Sequence, residues 1–536
     1  MSSIISLRFC LALLGGILMG LTPAPFNIWP LAWVALVPLW VMAVEAKGKR
    51  QTFPCSILNF EFLIGLLWGI GYHGLALAWI THLHPLTWMG IPWFGSVAIA
   101  LSAWVIITLW GAVLVALWAW GMSVWEGKIK AARIRPQKSG FPRHIFHIPF
   151  ICDLIRVLIG TALWCGLEAL WSLGPLYWTS LSYTQSPHNL VILHLGQLSG
   201  PFAVTAAIVA VNGCLATAWI TRKTTLTPLW SALILFTISH LIGFSLYNRP
   251  LMQPPETALR IGMIQGNVPT RVKLTPEGTR RALEGYTEGY RTLTNQGVDA
   301  VLTPEGALPI LWREPMRSQL SLYQAILERG VMAWVGTFGV EDNRITQSLF
   351  TVTGTGDNFS RYNKIKLVPL GEYIPFEPIL GKLINRLSPI ETQMLPGETQ
   401  QHFDTPLGQA AVGICYESAY AELFRAQVAA GGQFILTASN NDPYPYSMMI
   451  QHHAQDVMRA VETDRWAVRA TNTGLSGVVD PHGRTLWMSE QNTYALHAET
   501  IARRESRSLY VRWGDWLTPL LLLCAGVTMV GHIFMY

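Results

Sequence analysis

The sequence predicts two regions of different fold class, a polytopic α-helical membrane domain and an α/β sandwich domain. Of the 536 residues, 51% are hydrophobic and only 13% are charged, whereas soluble globular proteins carry about 25% charged residues. Long apolar runs fill the first half of the chain, and predicted strands and helices alternate through residues 258–480. The composition therefore excludes an ordinary cytosolic enzyme and an intrinsically disordered chain.

The charged residues divide the chain into segments. Residues 1–247 contain 13 Lys or Arg and 5 Asp or Glu, and residues 248–536 contain 25 and 27. We therefore predict a seven-span membrane domain over residues 1–247, a folded domain over residues 248–512 and a C-terminal transmembrane helix over residues 513–536. The middle segment has 265 residues, which is enough to bury the core of one domain.

Hydropathy predicts about eight spans, because each apolar run approaches the ~20 residues that cross a bilayer core. The predicted spans are residues 5–21, 29–45, 58–80, 91–120, 151–175, 190–220, 228–247 and 516–535. The first two are short and separated by Pro23-Ala24-Pro25, so a shallow hairpin is expected. A cleaved signal peptide is the alternative for the first span, although a second apolar run follows it without a polar gap.

Basic residues predict the orientation of these spans. The Lys and Arg residues of the short loops follow spans two, four and six: Lys47, Lys49, Arg50, Lys128, Lys130, Arg133, Arg135, Lys138, Arg143, Arg222 and Lys223. Loops 22–28, 81–90 and 183–189 contain none. Under the positive-inside rule both termini are cytoplasmic and the 248–512 domain faces outward. A nucleic-acid patch is a less simple interpretation of the basic loop 122–149, and no nucleic-acid partner is expected.

The positions of the seven cysteines single out one residue. Six lie in or beside the predicted spans: Cys10, Cys55, Cys152, Cys165, Cys214 and Cys524. Cys415 lies in the outward domain, where it has no partner for the disulfide usual outside the cytoplasm. A buried cysteine that acts as a small hydrophobe is one interpretation. However, Ala410 to Ile414 predict a short strand that leads through Cys415 into a helical stretch, a turn that can expose a nucleophilic thiol.

Two other predicted strands end in charged residues. The strand over residues 298–303 leads into Glu305, and a hairpin with the turn Gly354-Thr355-Gly356-Asp357 delivers Lys364 on its return strand. Strand ends converge on a cleft in layered α/β folds. Each charge alone is most simply a solvated surface group, but together with Cys415 they predict one site.

These segments resemble known sequence motifs. Pro304-Glu305-Gly306, Tyr362-Asn363-Lys364 and Ile414-Cys415-Tyr416-Glu417 resemble the Glu-Lys-Cys triad of the nitrilase superfamily. More narrowly, the chain resembles the apolipoprotein N-acyltransferase family in four further segments, which are residues 265–269 (QGNVP), 367–375 (LVPLGEYIP), 472–474 (NTG) and 480–483 (DPHG). The resemblance spans essentially the whole chain and implies a nitrilase-like αββα sandwich.

The resemblance also implies a reaction. Cys415 attacks an ester of a membrane phospholipid, such as phosphatidylethanolamine, and the resulting thioester passes its acyl chain to the α-amine of a diacylglyceryl-cysteine on an apolipoprotein. Glu305 is the implied general base, and Lys364 stabilises the oxyanion. A monomer in the bacterial inner membrane is expected, with a periplasmic catalytic domain. No metal or organic cofactor is implied.

Further residues match family positions near this triad. Glu372 matches a second active-site glutamate that orients Lys364 or relays protons, and Tyr416 and Glu417 match positions that shape the pocket. Glu168 and the following residues 174–178 resemble a membrane motif near the active-site entrance. A buried ionisable group in a span is a functional candidate, so Glu168 is predicted to contact substrate on the membrane side, with a structural role as the alternative.

The chain departs from the family pattern in several places. Leu274 stands where a Trp is usual, Gln347 lies in a changed Thr346-Gln347-Ser348 segment, and Trp171 stands where an Arg usually follows Glu168. The usual loop Ser-Asn-Asp-x-Trp-Phe becomes Ser439-Asn440-Asn441-Asp442-Pro443-Tyr444. These changes affect the predicted acyl-chain or lipoprotein preference more than the reaction.

Other sequence features carry weaker functional signals. Gly65 and Gly69 form a close-packing motif whose simplest role is helix contact. His452 and His453 are adjacent in a predicted helix and point to different sides, so they are not expected to share a metal. Two rival functions remain, a membrane-tethered amidase that hydrolyses a small amide or nitrile and a non-catalytic lipid-binding or scaffold protein.

Overall fold

The computed structural model describes residues 2–45, 59–134, 149–374, 393–442 and 444–534. Several residues used in the sequence predictions lie outside these ranges, namely Lys47, Lys49, Arg50, Cys55, Arg135, Lys138, Arg143, Pro375 and Pro443. The chain divides into two compact units. The first comprises Met1–Thr81, Leu101–Asn248 and Asp515–Tyr536, and the second comprises His82–Ala100 and Arg249–Gly514.

The first unit is built from apolar helices. Among the residues that the structure describes, four helices are long and apolar enough to cross a membrane, namely Trp93–Gly127, which begins in the second unit, Ile151–Leu173, Pro201–Thr221 and Thr227–Tyr247. Shorter apolar helical segments are Ser6–Gly20, Trp29–Glu45, Phe60–Ala76, Leu190–Ser199 and Leu517–Gly531. About eight continuous spans were expected, and that number is not confirmed.

Two of the predicted spans are interrupted. Residues 29–45 contain the 3-10 helix Trp29–Trp33 followed by the α-helix Val37–Glu45. Residues 190–220 break at Gly200, whose φ of 69° ends one helical segment before Pro201 starts the helix Pro201–Thr221. Hydropathy counts apolar residues and does not detect such breaks, whereas Pro is favoured at the first position of a helix.

Small residues bring two helices of this unit together. A Cβ atom on Gly65 would lie 2.8 Å from the Cα of Ala116, and one on Gly69 would lie 2.5 Å from the Cα of Ala112. The helix Phe60–Ala76 therefore approaches the helix Trp93–Ile134 at van der Waals distance. The predicted helix contact of Gly65 and Gly69 is confirmed.

The described part of the second unit contains two β-sheets. The seven-stranded sheet has the order β12-β1-β2-β4-β5-β6, with β3 paired to β4, and the five-stranded sheet has the order β11-β10-β9-β8-β7. The strands of the first sheet are β1 (Ala258–Gln265), β2 (Ala300–Leu302), β3 (Leu308–Leu311), β4 (Met332–Glu341), β5 (Arg344–Val352), β6 (Asn358–Asn363) and β12 (Ala495–Ala502). Those of the second are β7 (Ala410–Ile414), β8 (Phe434–Ser439), β9 (Ala467–Thr471), β10 (Gly477–Val479) and β11 (Thr485–Met488).

Alternating side chains place one hydrophobic core between the sheets and another beneath the helices. In β4, Trp334 belongs to the core shared by both sheets, whereas Ala333 and Val335 pack into the core that includes the helix Pro276–Thr294. This alternation is the period of a strand buried on both faces. On the far side, the helices Ala421–Ala429 and Tyr446–Thr463 pack on the five-stranded sheet. The order helix, sheet, sheet, helix agrees with the predicted αββα sandwich.

Parallel strands gather the functional segments at one edge of the second sheet. β7, β8 and β9 are parallel, with Ile414 opposite Ala438 and Ser439 opposite Thr471. The residues that follow these strands are Cys415, Asn440 and Asn472, so all three leave the sheet at its carboxyl edge. Ligands and reactive groups in α/β folds lie at this edge.

Candidate active site

Cys415 occupies a constrained turn at the end of β7. Its φ of 53° is in the left-handed region, which a non-glycine residue adopts only when its surroundings enforce it. The residue begins the 3-10 helix Cys415–Ala419, and its Sγ lies 3.9 Å from the backbone oxygen of Asn440. The strand and the following helical turn are present as predicted, and the α-helix itself begins at Ala421.

The surroundings of the Cys415 side chain favour the thiol over the thiolate. Burial raises its pKa far above the ordinary value; the Glu305 carboxylate adds to this effect, and the Lys364 ammonium opposes it. The thiolate, not the thiol, is the nucleophilic form of cysteine. Nucleophilic chemistry at Cys415 therefore requires a base that accepts the thiol proton during the reaction.

Lys364 holds two carboxylates together in what we call the Lys364 cluster (Glu305, Lys364 and Glu372). Its Nζ lies 2.9 Å from Oε1 of Glu305 and 2.7 Å from Oε1 of Glu372, and the residue is 1% exposed. Burial opposes the charge, but the two carboxylates raise the pKa of Lys364 well above its ordinary value. Burial also raises the pKa of Glu372, and the negative charge of Glu305 adds to the effect. The cluster thus keeps a permanent cation beside a carboxyl group of increased proton affinity.

Backbone groups fix each member of the Lys364 cluster. Asn440 N–H donates to Oε2 of Glu305 at 2.9 Å, which ties the loop after β2 to the end of β8. Lys364 follows β6, and its N–H donates to the Gln347 carbonyl at 2.8 Å. Val368 N–H donates to Oε2 of Glu372 at 2.7 Å. Each charged group therefore has a defined position before any ligand binds.

Glu417 is fully buried and bridges the Cys415 turn to the chain after Lys364. Its Oε1 accepts hydrogen bonds from Ile365 N at 2.6 Å and Lys366 N at 3.0 Å. Its Oε2 accepts from Ile414 N at 2.7 Å and from the Tyr362 hydroxyl at 3.1 Å. Burial raises the pKa of Glu417 to about 7, and the backbone N–H groups oppose this shift. All four hydrogen bonds come from groups of the protein, and they hold the carboxylate between the Cys415 turn and the residues after Lys364.

Tyr416 and Glu168 have different environments. The Tyr420 hydroxyl donates to the Tyr416 hydroxyl at 2.8 Å, and the two rings meet edge to face. Glu168 lies in the first unit, buried, and its carboxylate accepts hydrogen bonds from Trp164 Nε1 at 3.0 Å, from Thr205 Oγ1 at 3.2 Å and from the Ser180 hydroxyl. These bonds favour the structural role of Glu168, and its contact with substrate stays a prediction.

The residues that depart from the family pattern fall in different places. Leu274 is 48% exposed, whereas Gln347 and Asn441 are buried. Asn441 Nδ2 lies 3.1 Å from Nδ1 of His452. Within the described residues, no group of three or more His, Cys, Asp or Glu side chains is arranged to hold a metal ion.

The sequence predictions missed Lys273, a second buried lysine beside Glu305. Its Nζ donates to the backbone oxygen of Glu305 at 3.3 Å. Burial lowers its pKa to about 8, against the attraction of Glu305 and Asp442. The one hint in the sequence is that Lys273 directly precedes Leu274 and closely follows residues 265–269, which carry part of the resemblance. A lysine in a short polar segment is usually solvated, so the sequence alone gave no reason to bury it.

Comparison with protein families gives two matches along the chain. Residues 260–509 match the carbon-nitrogen hydrolase family, and residues 15–214 match the N-terminal domain of apolipoprotein N-acyltransferases. Among solved structures, a nitrilase-superfamily amidase from Nesterenkonia AN1 is 19% identical, with a TM-score of 0.38 over 50% of this chain and 98% of that chain. A likeness of that strength supports no further conclusion.

Relatives that match along nearly their whole length establish the family of this chain. The apolipoprotein N-acyltransferase of Nostoc sp. is 54% identical over 516 residues, which cover 96% of this chain and 96% of the relative. That of Synechocystis sp. is 46% identical over 526 residues, covering 96% and 99%. The match extends through the apolar first half as well as the sandwich. The chain therefore belongs to the apolipoprotein N-acyltransferase family.

Proposed function

We propose that this protein transfers a fatty acyl chain from a phospholipid to the α-amino group of the N-terminal diacylglyceryl-cysteine of apolipoproteins. The observation that carries the proposal is the match to acyltransferases of that name along 96% of both chains. The apolar helices support access to a lipid donor. The arrangement of Cys415 and the Lys364 cluster supports a covalent route in two half-reactions.

In the first half-reaction, Glu305 accepts the thiol proton of Cys415 and the sulfur attacks the ester carbonyl of the phospholipid. Lys364 is the cation available to stabilise the tetrahedral oxyanion, and such a contact is worth roughly 3–4 kcal/mol. The carbon–oxygen bond to the glycerol then breaks, and the proton on Glu305 passes to the departing lysophospholipid. The acyl chain remains on Cys415 as a thioester.

In the second half-reaction, the α-amine of the apolipoprotein attacks the thioester carbonyl. Glu305 removes a proton from this amine, the carbon–sulfur bond breaks, and the proton returns to the Cys415 sulfur. One carboxylate thus serves both steps, because each step begins with proton removal from a nucleophile. Glu372 keeps Lys364 charged and oriented throughout, through the 2.7 Å contact between them.

We infer an arrangement in the membrane from the sequence pattern. It has about eight spans, a membrane domain over residues 1–247, an outward catalytic domain over residues 248–512 and an anchor over residues 513–536. Both termini face the cytoplasm, and the catalytic domain lies in the periplasm of a bacterial cell. Phosphatidylethanolamine or another membrane phospholipid is the proposed donor, and the proposed form is a monomer.

A transfer assay with a matched acceptor tests this function. The full-length protein in phosphatidylethanolamine vesicles is supplied with a diacylglyceryl-cysteinyl peptide, either with a free α-amine or with an N-acetylated one. We expect N-acylated peptide and lysophospholipid in equal amounts with the free amine, and no peptide product with the blocked amine. Ammonia release from small amides without any acylated peptide would favour the amidase hypothesis instead.

A further inference from the structure

His452 lies directly behind the Cys415 turn and is not used in the reaction described above. It belongs to the helix Tyr446–Thr463 and is fully buried. Its Nε2 lies 2.8 Å from the backbone oxygen of Cys415. On the other side of the ring, Nδ1 lies 3.1 Å from Nδ2 of Asn441. The imidazole therefore connects the nucleophile's own peptide to the loop after β8.

These two contacts define one tautomer of His452. The Cys415 carbonyl oxygen only accepts hydrogen bonds, so Nε2 must carry a proton. A neutral ring then has a lone pair on Nδ1, and the partner of that atom must be a donor. The NH₂ group of Asn441 is such a donor, whereas a carboxylate at this position would not be.

The surroundings of His452 keep the ring neutral. Burial lowers its pKa to about 3, and the Arg469 and Lys364 cations lower it further, while Asp456 and the bond to Cys415 act in the opposite direction. Arg469 Nη2 also donates to the backbone oxygen of His452 at 2.8 Å, and its Nε donates to Asp456 at 2.6 Å. The charge of Asp456 is therefore compensated by Arg469 and does not draw a second proton onto the imidazole.

The bond from His452 fixes a peptide plane. The Cys415–Tyr416 peptide is planar, and its carbonyl and N–H point in opposite directions. When the carbonyl points to His452, the Tyr416 N–H points away from the helix Tyr446–Thr463. Rotation of this plane would break the 2.8 Å bond and leave both His452 Nε2 and the carbonyl to find new partners in a buried place.

We propose that His452 is a positioning residue that locks the Cys415–Tyr416 peptide so that the Tyr416 N–H faces the oxyanion formed on acyl transfer. The left-handed conformation of Cys415 makes such a lock necessary, because strained backbone persists only where contacts over-determine it. The inference rests on the proposed function, since an oxyanion forms only if Cys415 attacks an acyl carbonyl. It adds a residue from a different helix to the machinery of that reaction.

The Asn441 side chain matches the neutral tautomer of His452. A carboxylate in place of the Asn441 amide would require a doubly protonated imidazole to satisfy both contacts. Gly474 leaves the space for this side chain, because a Cβ atom on it would lie 2.4 Å from Asn441 Oδ1. The neutral histidine and its amide partner are thus matched in this chain.

Two substitutions at His452 test the lock in the full-length protein in phosphatidylethanolamine vesicles. His452→Leu removes the donor, and His452→Gln retains an N–H. We expect His452→Leu to slow formation of the Cys415 acyl adduct by about 10²-fold, the size of one lost oxyanion donor, without a change in the lipid concentration for half-maximal rate. Alkylation of Cys415 by iodoacetamide needs no oxyanion, so its rate should be unchanged. His452→Gln should recover most of the acylation rate.

The possible outcomes separate the lock from simpler roles. Acylation by His452→Leu at the wild-type rate, or a parallel loss of acylation and alkylation, would contradict the lock. The lock would also be contradicted if His452→Gln formed the acyl adduct no faster than His452→Leu. Absence of an adduct on the wild-type protein would instead contradict the proposed function.

A variant of Asn441 tests the tautomer independently of the substitutions at His452. Asn441→Asp replaces the donor with a carboxylate and so raises the pKa of His452. Acylation should then fall as the pH rises through the new pKa, because the neutral ring turns its proton toward the carboxylate and releases the Cys415 carbonyl. The same pH step should be absent from the wild type and from Asn441→Asp combined with His452→Gln. Superimposable pH profiles of Asn441→Asp and the wild type would refute the tautomer assignment.

Discussion

Two buried lysines contact Glu305, Lys364 at its carboxylate and Lys273 at its backbone oxygen, and they differ in what compensates their charge. Lys364 contacts two carboxylates, and they raise its pKa. Lys273 contacts only the backbone oxygen of Glu305, and no ion pair with a carboxylate occurs for it in the part of the chain that the structure describes. Burial lowers its pKa to about 8. Both lysines are buried, yet their pKa values shift in opposite directions, because only Lys364 has carboxylates in contact with its ammonium group.

The difference between the two lysines shows which of them holds its positive charge in the folded protein. A buried cation without a contact anion costs several kcal/mol, whereas one held between two carboxylates remains charged and fixed in place. In the proposed function, only the second arrangement provides a fixed positive charge for a developing oxyanion.

Removal of the compensated cation should have the largest effect. Lys364→Met keeps the length of the side chain but leaves Glu305 and Glu372 without their shared ammonium. We expect formation of the acyl adduct to slow by at least about 10³-fold. Lys366→Met is the matched control, since the Lys366 side chain lies over the Tyr420 ring, and it should acylate at nearly the wild-type rate. An equal loss of acylation rate in both variants would contradict a specific role for the Lys364 charge.

Removal of the base should have the next largest effect. Glu305→Gln keeps the shape of the side chain but cannot accept the Cys415 proton, so we expect a loss of about 10²- to 10³-fold in the rate of acyl-adduct formation. Rapid mixing with labelled phospholipid followed by acid quench measures this rate. Full turnover by Glu305→Gln would show that another group accepts the proton.

Removal of the second carboxylate should have a smaller effect. Glu372→Gln leaves Lys364 paired with Glu305 alone, so the pKa of Lys364 falls but the ammonium remains charged. We expect the acylation rate to decrease by roughly tenfold, the size of one hydrogen bond to a charged group. A loss as large as that of Lys364→Met would mean that Glu372 takes a direct part in proton transfer.

Replacement of Lys273 should stabilise the folded protein. Lys273→Met removes a buried charge that has no carboxylate in contact with it, so the free energy of unfolding should rise by ~1–3 kcal/mol at neutral pH. Arg271→Met in the same short helix is the control, because this side chain is exposed and its replacement should change little. Thermal unfolding of the full-length protein in detergent measures both. Destabilisation by Lys273→Met would contradict the contrast.

The pH dependence of stability gives a further check on Lys273. Its pKa is about 8 in the folded protein and 10.5 when unperturbed, so between these values the unfolded chain binds more protons. Stability should therefore rise as the pH increases from about 8 toward 10.5. This rise should disappear in Lys273→Met and persist in Arg271→Met.

Much of this site could be predicted from the sequence, because its charged residues follow strands. Glu305 and Cys415 follow short apolar runs, Lys364 follows the return strand of a predicted hairpin, and strand ends meet at one edge of a sandwich. The resemblance marked Glu417 as a pocket residue, but its contacts could not be predicted, because three of its four hydrogen bonds go to backbone N–H groups. Such donors are present in almost every residue and leave no trace in the side-chain pattern.

Other features depended on contacts between distant segments. The burial of Lys273 and the bond from His452 to Cys415 join parts of the chain that are 32 and 37 residues apart in sequence. In the first unit, Gly200 and Pro201 divide an apolar run that hydropathy treats as continuous. Local composition predicts which segments are apolar, but chain breaks and tertiary contacts decide how those segments fold.

The central claim is that Cys415 carries the acyl chain as a thioester. The most direct test is the intact mass of the full-length protein after incubation with phosphatidylethanolamine and no acceptor peptide. We expect a mass increase of one fatty acyl group on the wild type, its removal by neutral hydroxylamine, and no increase on Cys415→Ala. An unmodified wild-type protein under conditions that support transfer, or an adduct that persists in Cys415→Ala, would contradict it.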